Sequence, residues 1–556
     1  MAIGPFRLSL CFCLLFLASA CFGKRLEERF NECQLERLNA LEPDHRVESE
    51  GGITETWNSN HPELRCAGVT LLKRTIFPNS LHLPSYANYP QLIFIARGRG
   101  AFGVSLPGCP VTHEEAESQA RQDRRRSVFR RGSQQEEQEQ ESDGHHKIYH
   151  FREGHLIAIP AGVPYWSFNY GDEPVVAITL LDTSNSDNQL DRSPRRFYLA
   201  GNPEEEHPEA QQEQEQRRGH RGQPEMQQFG RRHGQREEEY GEEEEGNNVL
   251  SGFGTQFLAH AFGVDEEIVR RLQNPREEKN QIVRVEGGFR DIISPRWGDE
   301  DEEEEREERQ QRQQPRRWDE REERGYDYDE DDRRQSRQGQ YEDDRRRRQP
   351  WWSRPGGQGR GYDDDERRHE RNGLEETECS PTLIENIARP SRADFYNPAA
   401  GRISSANSLT FPILRWFQLS AEHVLLYRNG IYSPHWNNNA NSILYGLRGE
   451  GRIRVVNCEG NAVFNGVLRE GQILLVPQNF AVAQQAGNEG FEYVAFKTND
   501  RATISHLKQV IRGIPAEVLI NAFGLQNHQV SALKYNGNQT PLVPAQRSQF
   551  GPRRRD

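Results

Sequence analysis

The chain has 556 residues and a formal net charge of −14, with 28% charged and 33% hydrophobic residues. Its mean hydropathy of −0.95 averages two unlike kinds of segment, because strand-like apolar stretches alternate with long charged runs. After the N-terminal apolar run no segment is long enough to cross a membrane. The Arg-rich runs carry interspersed Asp and Glu, which neutralise the positive field that nucleic-acid binding requires.

The N-terminus has the pattern of a secretory signal peptide, with Arg7 followed by an apolar run over residues 8–20. Cleavage after Ala20 and cleavage after Gly23 both fit the pattern, and we favour Gly23, which makes residues 1–23 the signal peptide. Secretory entry brings the chain into oxidising conditions, where disulfides form. Five cysteines then remain, an odd number without the paired spacing of a zinc site, and the sequence alone does not fix their connectivity. They are Cys33, Cys66, Cys109, Cys379 and Cys458.

Residues 24–50 are predicted to form a helical or irregular N-terminal arm. Residues 51–297 are predicted to form a first β-barrel with a helical arm, because short apolar runs alternate there with Gly and Pro turn signals. Polar, charged inserts interrupt this region at about 111–146 and 201–247. The residues from Asn248 to Gln273 predict helix with one apolar face. That face would consist of Phe257, Ala261, Ile268, Val269 and Leu272.

The longest low-complexity run covers residues 298–372, and its mixed charges with scattered Gly and Pro predict disorder. It ends at Asn372-Gly373, where an endopeptidase could reach the backbone. The sequence contains three other Asn-Gly pairs, at residues 429, 465 and 536, but those lie inside or beside apolar, strand-like segments. Context therefore selects Asn372 as the processing site, with Cys379 six residues beyond Gly373 as a tether for the new N-terminus. The segment 373–556 carries a net charge of +4 and residues 1–372 carry −18.

An internal duplication organises the chain. Residues 97–104 match residues 448–455, and Phe151–Pro160 matches Leu468–Pro477. Ala-Phe-Gly at residue 261 recurs at residue 522. Each half therefore has short strands with Gly and Pro at the corners, followed by helices, which is typical of a closed barrel or jelly roll.

The duplicated motifs resemble those of a bicupin, and more narrowly those of a legumin-type 11S seed storage globulin. The stretch Asn372-Gly-Leu-Glu-Glu-Thr-Glu-Cys379 is specific to legumins, and further marks agree. Those marks are Glu50-Gly-Gly, Arg65-Cys-Ala-Gly, Leu106-Pro-Gly-Cys109-Pro and Ala393-Asp-Phe-Tyr-Asn-Pro. The resemblance implies a mainly β protein of two cupin-type jelly-roll barrels, each followed by a small helical arm, with long disordered acidic and Arg-rich inserts.

The resemblance also implies how such a protein is processed. It implies a Cys33–Cys66 disulfide within the acidic chain, a Cys109–Cys379 disulfide between chains, and a free thiol at Cys458. It implies cleavage after Asn372 by an asparaginyl endopeptidase, trimers that pair into hexamers, and passage from the endoplasmic reticulum to a protein storage vacuole of seeds. Recognition by IgE as a food allergen is a further implication. We expect trimer contacts through apolar residues of the helical arms: Leu258, Ile268, Leu519 and Phe523.

Cupin enzymes hold a metal ion with three His and one Glu, a set that suits Mn or Fe. In the first half the corresponding positions fall on Ser85, Ala87, Gln91 and Tyr165. In the second half they fall on His435, Asn437, Ser442 (or Asn441) and Val482. One His cannot hold a catalytic ion, so we predict no metal, no cofactor and no catalytic residue.

The resemblance implies that the function is a seed store of nitrogen and carbon. Two alternatives remain at this stage: a metal-dependent bicupin that handles oxalate, and a bicupin that binds a sugar or another small ligand in its barrel mouths. Asn538-Gln-Thr540 is a glycosylation sequon, although Pro541 after it disfavours its use.

Overall fold

A computed structural model of the chain describes residues 33, 35–107, 148–208, 247–274, 280–286, 382–536 and 540–544. The predicted signal peptide, the insert 111–146, most of the insert 201–247 and the linker 298–372 lie outside the described residues. Within them, the first half contains twelve strands. These are β1 (His45–Ser49), β2 (Gly52–Thr56), β3 (Thr70–Ile76), β4 (Ser80–Ala87), β5 (Gln91–Arg97), β6 (Arg99–Val104), β7 (Ile148–Arg152), β8 (His155–Ile159), β9 (Tyr165–Asn169), β10 (Val175–Leu181), β11 (Arg196–Tyr198) and β12 (Ile282–Arg284). The helices are α1 (Pro62–Ala67), α2 (Thr255–Phe262) and α3 (Glu266–Gln273).

The second half repeats this arrangement over the described residues. Its strands are β13 (Ile384–Asn386), β14 (Phe395–Asn397), β15 (Gly401–Ala406), β16 (Ser420–Leu426), β17 (Ile431–Asn437), β18 (Ser442–Val456), β19 (Ala462–Arg469), β20 (Ile473–Val476), β21 (Ala481–Lys497), β22 (Ile504–His506) and β23 (Leu542–Val543). Its helices are α4 (Leu414–Phe417), α5 (Leu507–Gly513), α6 (Ala516–Phe523) and α7 (Asn527–Tyr535). The predicted fold class, two cupin barrels each followed by helices, is confirmed.

The first barrel is built from two antiparallel sheets. One has the strand order β1-β2-β3-β10-β5-β8-β13, and the other has β11-β4-β9-β6-β7 with β12 also paired to β4. Strand β10 lies in the middle of its sheet and is buried along almost its whole length, which explains why six of its seven residues are apolar. Strand β4 alternates buried and part-buried residues instead, since one of its faces lines the barrel. Strand β1 extends this sheet into the stretch that the sequence assigned to the N-terminal arm.

The second barrel contains two strands that are much longer than their equivalents. Strands β18 and β21 have 15 and 17 residues and pair with each other along most of their length. Each shifts register near its middle, between Gly446 and Arg448 and again between Gly449 and Gly451 on β18. Gly449 has a φ of 71°, and a Cβ there would lie 2.4 Å from the carbonyl oxygen of Gly490, so only glycine permits this close approach.

The two barrels share a continuous apolar core. The Trp57 ring of the first half meets Tyr445 of the second edge-on, with the ring centroids 6.0 Å apart. Phe94 stacks on His423 at 5.7 Å. All four side chains are buried, so the two halves form one compact unit rather than two separate domains.

Each half also contributes an extended segment, here called an exchanged arm, that pairs with the barrel of the other half. The amide of Leu41 donates to the carbonyl of Ile473 on β20, and the amide of Ile473 donates back, both at 2.9 Å. In the opposite direction, β13 pairs antiparallel with β8, with Ile384 opposite Ile157. Leu38 and Leu383, which flank these pairings, are 3% and 0% exposed. The segment that follows the predicted cleavage site is therefore an edge strand of the first barrel.

The helical arms bury only part of their apolar surface within the chain. Val269, Leu258 and Leu519 are buried, which means that Leu258 and Leu519 pack inside their own arms and are not available for the trimer contacts expected of them. Ile268 and Phe523 are 49% and 62% exposed. Phe257, Phe262, Leu272, Val518, Leu533 and Tyr535 are exposed as well.

Among the helices of the described ranges, none is long and apolar enough to cross a membrane.

Candidate functional site

The interior of the first barrel has a guanidinium group at the positions where a cupin enzyme would hold its metal. Ser85 on β4 and Tyr165 on β9 lie opposite each other in register, and Gln91 begins β5. Arg196 on β11 donates from Nη1 to Ser85 Oγ at 3.3 Å and to Tyr165 Oη at 3.4 Å, and from Nη2 to Gln91 Oε1 at 2.8 Å. Three of the four residues that correspond to the metal ligands of cupin enzymes therefore surround a permanent cation of the chain itself.

One buried carboxylate pairs with two guanidinium groups in this cluster. Glu206 Oε2 accepts from Arg196 Nε at 3.0 Å, while its Oε1 accepts from Arg74 Nη2 at 2.5 Å and from Tyr198 Oη at 2.8 Å. Burial disfavours the charged form of Glu206, but Arg74 and Arg196 outweigh burial and hold its pKa well below the ordinary value. The cluster is therefore a fully charged network inside the barrel.

The second barrel has an ammonium group in the corresponding place. Lys497 ends β21 and lies opposite Ser442 of β18. Its Nζ donates to Asn437 Oδ1 at 3.0 Å and forms an ion pair with Glu422 Oε2 at 2.5 Å. Burial opposes ionisation of Glu422, yet the charge of Lys497 lowers the pKa of this carboxyl below its usual value.

Among the residues that correspond to cupin metal ligands, His435 is the one imidazole, and it is buried beside Tyr432. Its Nδ1 donates to the carbonyl of Ser433 at 2.9 Å, and burial lowers its pKa to about 4. An imidazole held by the backbone, next to an amide and an ammonium group, is a poor donor set for a divalent cation. The residues of both barrels therefore do not fit a cupin metal, and no cluster of three ligand-type side chains occurs in the described part of the chain.

The lowered pKa of His435 predicts a loss of stability in acid. Between the ordinary pKa of 6.5 and about 4, the unfolded chain binds a proton at His435 that the folded chain excludes. The contribution of His435 to stability is then largest above pH 6.5 and falls as the pH falls, by about 1.4 kcal/mol per pH unit. The free energy of unfolding of a His435→Gln variant, measured by denaturant titration from pH 7 to 4, should have a smaller slope by about this amount. Equal slopes for variant and wild type would exclude this role of His435.

The first barrel also contains a small, largely apolar cavity. Its volume is about 30 Å³, and its walls include Arg74, His82, Phe102 and Tyr165. Ligand pockets for small molecules usually measure about 300–1,000 Å³, whereas this one has room for about one water molecule. The cavity as it stands does not support the ligand-binding alternative.

The structure also places some of the predicted processing residues. Cys33 and Cys66 form a disulfide with their Cα atoms 4.6 Å apart, and Cys458 is exposed with a free thiol in the turn after β18. Asn372, Gly373, Cys109, Cys379 and the sequon at Asn538 lie outside the described residues. Cleavage and the interchain bridge therefore stay predictions.

Two of the remaining Asn-Gly pairs lie in the second barrel, one in a turn and one within a strand. Asn429 has a φ of 56° in the turn between β16 and β17, and Asn465-Gly466 lies within β19. Asn536 follows helix α7, which corrects the expectation of a strand-like segment there.

Three residues that define the barrel interiors escaped the sequence analysis: Arg196, Glu206 and Lys497. Lys497 had a detectable signal, since it is a charged residue at the end of the apolar run Tyr-Val-Ala-Phe. Glu206 had none, because it lies in a run of Glu residues at the start of a polar insert.

Comparison with known proteins identifies the same fold of two cupin domains. The sequence pattern of the cupin family matches residues 38–205 and 385–531. The chain is 54% identical to legumin J of Pisum sativum over 550 residues, which covers 98% of this chain and 99% of that protein. The crystal structure of the coconut allergen cocosin superposes with a TM-score of 0.64 at 35% identity, covering 92% of this chain and 100% of that one. A deletion mutant of Bacillus subtilis oxalate decarboxylase, at 12% identity and a TM-score of 0.53, shares the fold and covers 92% of this chain and 88% of that one.

Proposed function

Because the chain belongs to the legumin-type 11S globulins, a family of cupin seed storage proteins, we propose that it stores nitrogen and carbon as a two-chain protein cut after Asn372. The observation that carries this proposal is the 54% sequence identity to legumin J, which extends over 98% of the chain. The composition supports it, since 65 of the 72 basic residues are Arg, the side chain richest in nitrogen.

The barrel interiors support a role without catalysis. Arg196 in one barrel and Lys497 in the other fill the place of a metal with a cation that cannot exchange ligands or accept electrons. We therefore infer that the chain is not a metal-dependent cupin enzyme. Stoichiometric Mn or Fe in the protein purified from seeds, measured by elemental analysis, would contradict this inference.

Storage itself is tested by the fate of the protein in seeds. We expect it to accumulate late in seed development, within protein storage vacuoles reached through the endoplasmic reticulum, and to disappear during germination. Quantitative immunoblots and immunogold labelling over that period measure both. A constant level through germination would contradict the storage function.

The exposed apolar side chains on the helical arms support assembly with further copies of the chain. We propose trimers formed through these arms, which pair into hexamers after an asparaginyl endopeptidase cuts at Asn372. IgE recognition is proposed on the similarity to the coconut allergen alone.

The trimer proposal makes a prediction about the exposed Phe residues on both arms. Phe257 and Phe523 are 65% and 62% exposed in the single chain, and a carboxylate at either position would be buried without a partner in the trimer. The double variant Phe257→Asp, Phe523→Asp should elute and scatter light as a monomer. Leu190→Asp, at a position 55% exposed on the loop between β10 and β11, is the matched control and should stay trimeric. A trimeric double variant would show that these faces do not form the interface.

A further inference from the structure

The surroundings of Glu206 have the composition of a carboxylate-binding site. Its two oxygens accept from two guanidinium groups and one phenol: Arg74, Arg196 and Tyr198, at 2.5, 3.0 and 2.8 Å. The Arg74, Arg196 and Glu206 side chains are 5%, 3% and 2% exposed. Charge-assisted hydrogen bonds of this kind, shielded from water, are the strongest that a protein offers a carboxylate.

Both guanidinium groups also contact the barrel wall, independently of the carboxylate they bind. Arg74 lies on β3 in the middle of a sheet, and its Nη1 donates to Tyr165 Oη at 3.1 Å. Arg196 lies on β11, where Gln91 and Ser85 fix its guanidinium and the Tyr165 ring lies 5.8 Å beneath it. These contacts do not involve Glu206, so the two guanidinium groups are preorganised for any carboxylate that reaches them.

Glu206 itself belongs to the irregular segment that follows β11. Its backbone carbonyl accepts from Thr56 Oγ1 at 2.8 Å, which fixes its main chain independently of its side chain. Two guanidinium groups contact one carboxylate, so the loss of that carboxylate would leave two buried positive charges close together. Such a site favours the entry of an anion.

We propose that the first barrel contains a binding site for a small monocarboxylate, formed by Arg74, Arg196 and Tyr198, which Glu206 of the same chain occupies. The side chain acts as a tethered ligand that closes the site. Truncation of Glu206 to alanine removes Cγ, Cδ and both oxygens, which together have the size and charge of acetate. The emptied site is therefore expected to bind free acetate.

The test is chemical rescue of full-length Glu206→Ala by acetate at pH 7. The variant should melt about 5–10 °C below wild type in sodium chloride, because two buried guanidinium groups lose their partner. Sodium acetate at the same ionic strength should raise its Tm in a saturable manner, since a ligand that binds only the folded state stabilises it by mass action. Acetamide has the same shape without the charge and should give no rescue.

Two further variants separate this site from a general effect of acetate. Glu206→Gln keeps the side-chain volume and leaves no space for acetate, so its Tm should be the same in both salts. Glu63→Ala removes another buried carboxylate, one that accepts from the Asn39 backbone and side-chain nitrogens at 3.2 and 3.1 Å, and it should not respond to acetate either.

If Glu206→Ala does not fold in chloride, the yield of refolded protein in acetate against chloride becomes the readout. A higher yield or Tm in acetate for this variant alone supports the proposal. Equal results in acetate and chloride, equal rescue by acetamide, or equal rescue of Glu63→Ala would each overturn it.

Discussion

Replacing Lys497 by methionine is expected to destabilise the folded chain by about 3–5 kcal/mol, one of the two largest effects that the structure predicts. The side chains of Lys497 and Glu422 are 6% and 4% exposed, so the substitution leaves a carboxylate inside the second barrel without its cation. Asn437 Oδ1 loses its donor at the same time. Methionine matches the length of the lysine stem, which limits the change in packing to the charged end.

The control for this prediction is the double variant Lys497→Met, Glu422→Gln. It removes both charges together, and a buried ion pair replaced in this way is often neutral or stabilising. Denaturant titration at pH 7 should therefore place the double variant well above the single one in unfolding free energy. A single variant as stable as the double would show that Glu422 does not depend on Lys497.

The second large effect concerns the arm that follows the predicted cleavage site. The wild-type chain, cut between residues 298 and 372 and then reduced without denaturant, should elute as one particle, since each piece holds an arm on the barrel of the other. The double variant Leu383→Asp, Ile387→Asp should release its basic piece under the same conditions. These two side chains are 0% and 3% exposed, and burying two unpaired carboxylates costs several kcal/mol.

Size-exclusion chromatography of the cut, reduced protein measures this directly, with an inserted protease site as the means of cutting. Tyr396→Asp is the matched control, because this side chain lies nearby in sequence and is 53% exposed. It should behave like wild type. Co-elution of both pieces of the double variant would mean that the arm on β8 is dispensable for holding the two pieces together.

Much of the fold followed from the duplicated motifs. The matches between residues 151–160 and 468–477 fell on β8 and β20, which occupy equivalent positions in the two barrels. Strand and turn signals depend on neighbouring residues in the sequence, so these motifs predict the strands without knowledge of long-range contacts. The Cys33–Cys66 disulfide, in contrast, was predicted only from the family resemblance, because the spacing of the five cysteines allows other pairings.

The exchanged arms could not be predicted in this way. Leu38 and Leu383 are apolar residues in short segments without a clear period, and their partners lie hundreds of residues away. The charged clusters inside the barrels could not be predicted for the same reason, because they join residues that are far apart in the sequence. Arg196 and Glu206 acquire their roles only when β11 pairs with β4, because each residue alone has the sequence context of a solvated polar run.

The helical arms show a third limit. The predicted apolar face at Phe257, Ile268 and Leu272 exists, but it faces outward in the single chain while Val269 points into the arm. A periodic pattern identifies an apolar face without stating whether the chain itself or another copy covers it. That distinction depends on packing between elements.

The central claim, a storage protein that is cut after Asn372 and held together by a bridge to Cys379, is tested most directly by one gel. The protein from seeds is compared reduced and unreduced, and the smaller reduced band is sequenced from its N-terminus. We predict one unreduced band that splits on reduction, with the smaller product beginning Gly-Leu-Glu-Glu-Thr at Gly373. A chain that stays whole on reduction would contradict the account and leave an uncut bicupin.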